Sequence, residues 1–236
     1  MPTVLKRELR SYLHTPMAYI FIVVFLLLSS VFFIIGNLAA RSGSMLNLLG
    51  SMSYLLMLLC PILSMRLLSA GTDGGDQLLY QSALPLSAVV TGKYLAAVTV
   101  LLCGAALSLI YPTLIALYGT LSIAETLTGY LGFLLMGMCF LSMDMLVAAV
   151  SRTPTLALLS AFGLNLLVWL SDLLGQAAQN ALLQRAAAFL SLYRRLSPFL
   201  SGRLSLSNLI YDLSFIAVML FLCVRVLEIR RWRGRL

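Results

Sequence analysis

The chain has 236 residues, of which 61% are hydrophobic and only 10% are charged, and its formal net charge is +8. A soluble domain carries roughly 25% charged residues, so this composition excludes a water-exposed globular surface. The apolar residues form blocks of about 20, which is the length that a helix needs to cross hydrocarbon. Because such blocks are too long and too uniformly apolar for barrel strands, we predict an all-α, polytopic membrane protein.

Residues 1–15 mix charged and apolar side chains. Leu5, Leu9 and Leu13 recur at helix-like spacing around Arg10. This pattern predicts an N-terminal amphipathic helix that lies in the membrane interface. The alternative is the n-region of a signal peptide. The apolar block at 17–35 is too long for the h-region of such a peptide, and no small-residue cleavage site is obvious.

Six transmembrane helices are predicted within a single domain that covers residues 1–236. Their approximate bounds are 17–35, 46–65, 94–117, 127–150, 155–174 and 209–227. Pro112 interrupts the third span. The segment 176–207 is too polar to span, and we expect it to form short interfacial or re-entrant helices on the outer side.

The distribution of basic residues orients the spans. With the N-terminus inside, the inner segments hold most of the 16 lysines and arginines. The positive-inside rule therefore predicts that both termini are cytoplasmic. We expect the basic residues to fix this topology and to contact anionic membrane lipid, and we expect no nucleic-acid partner.

The motifs of metal hydrolysis and nucleotide binding are missing from the sequence. His14 is the only histidine, whereas a zinc protease needs two at helical spacing. The glycine-rich Gly71–Gly75 lacks the Gly-Lys-Ser/Thr ending of a phosphate-binding loop. We therefore predict no catalytic, cofactor-binding or metal-binding residue in this chain. An unrecognised membrane enzyme remains an alternative, although no nucleophile–base pair is visible.

Asp144 is the most informative ionisable residue within the spans. An intramembrane carboxylate is costly and usually faces a cavity or a partner, which suggests a substrate-path residue or an ion pair with Arg152. The other interpretation, which we prefer, is a carboxylate close enough to the inner interface to stay hydrated. Asp172 and Asp212 are expected at outer span ends, where water reaches them. A proton-coupled carrier would need more buried carboxylates or histidines than these.

The predicted cytoplasmic loop after the second span, residues 66–93, carries a family pattern. Its notable residues are Arg66, Asp76-Gln77-Leu78-Leu79, Pro85, Ser87 and Gly92-Lys93-Tyr94. In order and spacing they resemble the cytoplasmic loop of type-2 ABC exporter permeases. Near the end of the chain, Leu196-Ser197-Pro198, Asn208–Tyr211 and Leu227–Trp232 are similar to the gliding-motility (GldF-like) branch of that family. Ala70–Gly75 departs from the family, which usually has an acidic–basic cluster there.

The resemblance implies a type-2 ABC exporter fold in the cytoplasmic (inner) membrane of a bacterium. This chain would pair with a second permease subunit, as a homo- or heterodimer, and with a separate cytoplasmic ABC ATPase that binds ATP and Mg. The second and fifth spans would line the path of an unidentified substrate of amphipathic or lipid-like character, and the segment 176–207 would form the outer gate.

Two predicted inner-face helices, the N-terminal one at Leu5–Leu13 and a short one at Asp76–Ser82, would form the surface that couples the chain to the ATPase. The residues assigned to this coupling surface are Leu5, Leu9, Arg10, Arg66, Asp76, Gln77, Leu78, Leu79 and Lys93. The alternative function is a non-transporting subunit that relays ATPase work mechanically to an auxiliary membrane or extracytoplasmic protein.

Overall fold

The structure, a computed structural model, describes residues 16–39, 45–65, 67–68, 85–118, 122–177 and 191–233. Across these ranges it contains helices and no strands, which confirms the all-α class. The helices are α1 (Pro16–Phe33, continued by a π-helical stretch Ile34–Ala39), α2 (Met45–Ser64), α3 (Leu86–Ser108), α4 (Ile110–Tyr118), α5 (Ile123–Val150), α6 (Pro154–Ala177), α7 (Leu192–Leu200) and α8 (Leu206–Arg233). The predicted helix at 1–15 lies outside the described residues.

Six helical segments are long and apolar enough to cross a membrane, as predicted. They are Pro16–Leu38, Met45–Ser64, Leu86–Leu117, Ile123–Val150, Pro154–Leu173 and Leu206–Arg231. The chain is therefore a multi-pass membrane protein.

Helix α3, which carries the third span, begins at Leu86, whereas the span itself is predicted to begin at about residue 94. Pro85 has φ −64° and ψ 131°, and its carbonyl oxygen accepts hydrogen bonds from the backbone N–H groups of Ala88 and Val89. Proline restricts its own φ and lacks an N–H, so it suits the start of a helix. The predicted loop 66–93 therefore gives way to helix after Pro85, and Lys93 lies in the third turn of α3.

The third span is interrupted at Leu109, between α3 and α4. Pro112 has no N–H to donate to the carbonyl oxygen of Ser108 four residues earlier. The Tyr130 hydroxyl of α5 donates to that oxygen at 3.0 Å. A side chain from another helix thus satisfies a buried backbone group that the proline leaves without an intrahelical donor.

Helix α5 lies at the centre of the bundle and contacts α2, α3, α6, α7 and α8. Small residues permit these close approaches. A Cβ atom added to Gly132 would lie 2.5 Å from Cβ of Phe199 in α7. A Cβ atom added to Gly137 would lie 2.7 Å from Cδ2 of Leu101 in α3.

Helix α7 is a short helix within the predicted segment 176–207, and it packs back against α5. Leu196 and Phe199 are buried on its inner side. Gly202, with φ 78°, ends the helix, and the N–H of Arg203 donates to the carbonyl oxygen of Pro198 at 3.0 Å. This Schellman arrangement satisfies the final carbonyls of α7 and needs a residue that tolerates positive φ.

Candidate functional site

Asn165 of α6 joins three helices near the middle of the bundle. Its side-chain amide nitrogen donates to the carbonyl oxygen of Met57 in α2 at 3.2 Å and to Oδ2 of Asp144 in α5 at 3.3 Å. Both hydrogens of this amide group are therefore used. We call Met57, Asp144 and Asn165 the inner polar centre, because its polar side chains are buried inside the bundle.

Pro61 explains why the Met57 carbonyl needs a donor from another helix. Pro61 lies within α2 and has no N–H for the carbonyl oxygen four residues earlier, which is that of Met57. In a membrane interior, an unsatisfied carbonyl costs free energy, and water cannot replace the missing donor. The Asn165 amide supplies it, so the break in α2 and the polar residue of α6 depend on each other.

Asp144 is fully buried, with 0% of its surface exposed, so the preferred expectation of a hydrated carboxylate is wrong. The reason is its direction: the side chain points between α5 and α6 toward Asn165, into the protein. Among the described residues its hydrogen-bond partner is Asn165, and no ion pair with Arg152 forms. Oδ1 of Asp144 and Oδ1 of Asn165 have no hydrogen-bond donor within this part of the chain.

A second polar group lies between the C-terminal end of α6 and α7. Asp172 accepts a hydrogen bond from Oγ of Ser191 at 2.7 Å, and its Oδ1 lies 3.2 Å from Nε of Arg194. Ser191 also caps α7, because its Oγ accepts from the N–H of Arg194 at 3.1 Å. We call Asp172, Ser191 and Arg194 the outer latch, after the predicted orientation of the spans.

The rest of α7 is fixed to α8. The guanidinium carbon of Arg195 lies 3.3 Å from the ring centroid of Tyr211, a cation–π contact. Asn208 donates from its side chain to the carbonyl oxygen of Arg195 at 3.2 Å. Arg195 also lies close enough to Asp212 to interact with it electrostatically.

These contacts overturn the expectation that water reaches Asp172 and Asp212. Only 8% of Asp172 and 5% of Asp212 is exposed. Helix α7 folds over the ends of α6 and α8 and supplies arginine partners there. The sequence predicts that both carboxylates lie at span ends, but it does not predict that α7 covers them.

Tyr193 connects α7 to α2. Its ring stacks on that of Tyr54 with 5.1 Å between centroids, and it also contacts Phe140 of α5. The Tyr193 hydroxyl is buried and has no hydrogen-bond partner among the described residues. Burial raises the pKa of Tyr193 above its ordinary value, so this phenol stays neutral in the physiological range.

Of the predicted coupling surface, the structure describes Lys93 alone. The Lys93 side chain is buried, and Nζ donates to the carbonyl oxygen of Leu67 at 2.7 Å. A cation close to the C-terminal end of α2 is electrostatically favourable there. The other eight residues of the surface lie outside the described residues.

Sequence reasoning missed Asn165, Ser191 and Arg194 as site residues. A polar residue in the middle of an apolar span was the available signal for Asn165, since such residues are rare and usually have a partner. Within the described ranges, no group of three histidine, cysteine, aspartate or glutamate residues could hold a metal ion.

The chain matches no protein-family model and no curated protein at a significant level.

Proposed function

We propose that this chain is the transmembrane permease subunit of an ATP-driven ABC exporter. The observation that carries the proposal is the contact between Lys93 and Leu67. These residues are 26 positions apart, yet the Lys93 ammonium lies 2.7 Å from the Leu67 carbonyl oxygen. The contact pins the end of α2 to the start of α3, directly beside the segment 69–84 that carries the family resemblance.

A segment held at both ends by packed helices suits the transmission of force. In the proposed mechanism, a cytoplasmic ATPase that binds ATP and Mg pushes on the segment containing Asp76, Gln77, Leu78 and Leu79. Because the two ends of this segment are joined, the push moves α2 and α3 together. The N-terminal residues Leu5, Leu9 and Arg10 would complete the contact.

Helix α2 offers a route from this inner surface to α7. Near its middle α2 meets the inner polar centre through Met57, and three residues earlier Tyr54 stacks on Tyr193 of α7. A shift of α2 would therefore disturb α7 and the outer latch. In this proposal α7 gates the outer side for an amphipathic or lipid-like substrate.

The faces of α2 and α6 that point away from the other helices suit contact with a second permease subunit or with the substrate path. Tyr54 and Leu58 of α2 are exposed, as are Leu159 and Leu167 of α6. Exposed apolar side chains on spans can face lipid or another subunit, so they support this arrangement without selecting between a homodimer and a heterodimer.

The test is co-purification of the tagged chain from its native membrane, followed by assays of ATP hydrolysis in nanodiscs. We expect a stable complex with an ABC ATPase, with hydrolysis stimulated by a lipid or amphipathic cargo. The double substitution Leu78→Ser and Leu79→Ser should abolish ATPase binding with normal membrane insertion. Leu117→Ser, at the exposed outer end of α4, is the matched control and should bind normally.

Lys93→Met separates binding from coupling. The variant keeps an unbranched side chain of similar length but removes the ammonium that donates to the Leu67 carbonyl. We therefore expect ATPase binding to persist and the stimulation of ATP hydrolysis by cargo to fall. A complex that ignores every cargo but retains an auxiliary protein would support the mechanical relay instead. A chain that is active in its membrane without any ATPase partner would refute both functions.

A further inference from the structure

A groove with two arginines opens between the ends of α5 and α8. It encloses about 370 Å³ and is lined by Val150, Arg152, Val226, Ile229 and Arg230. Two of the candidate spans end here, at Val150 and at Arg231. This is the end of the bundle that is predicted to face the cytoplasm, so the groove lies at that boundary between hydrocarbon and headgroups.

Arg230 is fixed in position by the end of α5. Its Nη2 donates to the carbonyl oxygen of Val150 and, at 3.1 Å, to that of Ser151. These carbonyls belong to the last turn of α5, where a cation is favourable. A guanidinium group has five N–H donors, and Nη2 accounts for two of them. Nε and Nη1 make no hydrogen bond to the described residues.

The groove keeps its positive charge. Neither Arg152 nor Arg230 forms an ion pair with a carboxylate in the described part of the chain. Glu228, the acidic residue nearest in sequence on α8, pairs with Arg225 at 2.8 Å. Two guanidinium groups therefore face a groove whose lining includes no carboxylate.

We propose that this groove binds the headgroup phosphate of an anionic glycerophospholipid. Guanidinium groups match phosphate oxygens in geometry and form strong charge-assisted hydrogen bonds with them. The apolar lining supplies the second half of the match, because Val150 is 60% and Ile229 is 55% exposed at the ends of spans. The acyl chains of a bound lipid would cover these apolar side chains, whereas an acidic loop of a soluble protein would leave them exposed.

Bound lipid would reinforce the contact between α5 and α8. Arg230 already joins the two helices through the Val150 and Ser151 carbonyls. A phosphate held between Arg152 and Arg230 would add a second connection across the same junction. This inference depends on the membrane location and the groove alone, so it stands or falls independently of the ATPase.

The test measures lipid retention by native mass spectrometry of the full chain, titrated with phosphatidylglycerol or phosphatidylcholine. We expect phosphatidylglycerol to bind more tightly. Arg152→Gln should lower its affinity about fivefold, the worth of one cation near an anionic surface, and leave phosphatidylcholine unchanged. Arg152→Lys should retain most of the preference. Arg203→Gln, an exposed arginine outside the groove, is the control and should bind like the unmodified chain.

Three results would overturn the proposal. The first is an unchanged preference for phosphatidylglycerol both in the Arg152→Gln variant and in the Ile229→Trp variant. The tryptophan of the second variant fills the groove without changing its charge. The second is full displacement of the lipid by millimolar inorganic phosphate, which would assign the site to a soluble anion. The third is that Arg152→Gln no longer binds a protein partner in lipid-free detergent, while its affinity for lipid is unchanged.

Discussion

The side-chain nitrogen of Asn165 lies 3.2 Å from the carbonyl oxygen of Met57, the oxygen that Pro61 deprives of its helical donor. The same nitrogen lies 3.3 Å from Oδ2 of Asp144. One amide group thus compensates a proline and holds a buried carboxyl group, and it links α2, α5 and α6 in doing so. Removing it should affect all three helices.

Asn165→Leu keeps the side-chain volume but removes both donors, leaving two buried acceptors unsatisfied. We expect a loss of about 2 kcal/mol or more in the free energy of unfolding, measured by titrating mixed micelles with a denaturing detergent. Adding Pro61→Ala should recover part of this loss, because the new N–H of residue 61 can bond to the Met57 carbonyl. Equal losses in the single and double variants would show that the proline and the asparagine are independent.

Tyr130→Phe tests the second proline compensation. The substitution removes the hydroxyl that donates to the Ser108 carbonyl at 3.0 Å, and it should destabilise the chain by about 1 kcal/mol. In a Pro112→Ala background the same substitution should cost less, since an alanine at this position restores the helical N–H donor. Tyr19→Phe provides the comparison, because Tyr19 is 54% exposed and its change should stay within about 0.5 kcal/mol.

Gly132→Ala tests whether α7 needs its close approach to α5. The added methyl group would lie 2.5 Å from Cβ of Phe199, so α7 must move, at a cost of about 1 to 3 kcal/mol. Faster amide hydrogen exchange in residues 192–200 would report this displacement directly. Gly163→Ala is the matched control in α6: nothing lies within 4 Å of its added methyl group, so it should be neutral or slightly stabilising.

Asp172→Ala tests the outer latch. It removes the acceptor of the Ser191 hydroxyl and the partner of Arg194, so hydrogen exchange across α7 should accelerate while α5 stays protected. The Arg194 side chain is 38% exposed, so solvent screening limits the loss in stability to about 1 kcal/mol. Glu228→Ala breaks the ion pair with Arg225, whose two side chains are more exposed than those of Arg194 and Asp172. It should therefore lower the stability by less. An unchanged exchange rate in α7 would show that the latch does not hold it.

The position of the spans could be predicted from the sequence, because spanning hydrocarbon is a local property of about 20 consecutive residues. The break in the third span was predictable for the same reason, since a proline acts on the carbonyl four residues before it. The start of α3 at Leu86, within the predicted loop, could not be predicted from the sequence, because a partner outside the helix is needed for the burial of Lys93. Its partner is the Leu67 carbonyl, which lies just beyond the end of α2.

The sequence by itself determined that this protein is helical, that it crosses a membrane repeatedly, and which prolines interrupt its spans. Only the tertiary structure decided how those interruptions are satisfied and which carboxyl groups are buried. Asn165 reaches Met57 across 108 positions, and Tyr130 reaches Ser108 across 22. Such pairs depend on how helices pack, and the hydrophobicity of a span, which is nearly uniform around its axis, does not specify which face meets which neighbour.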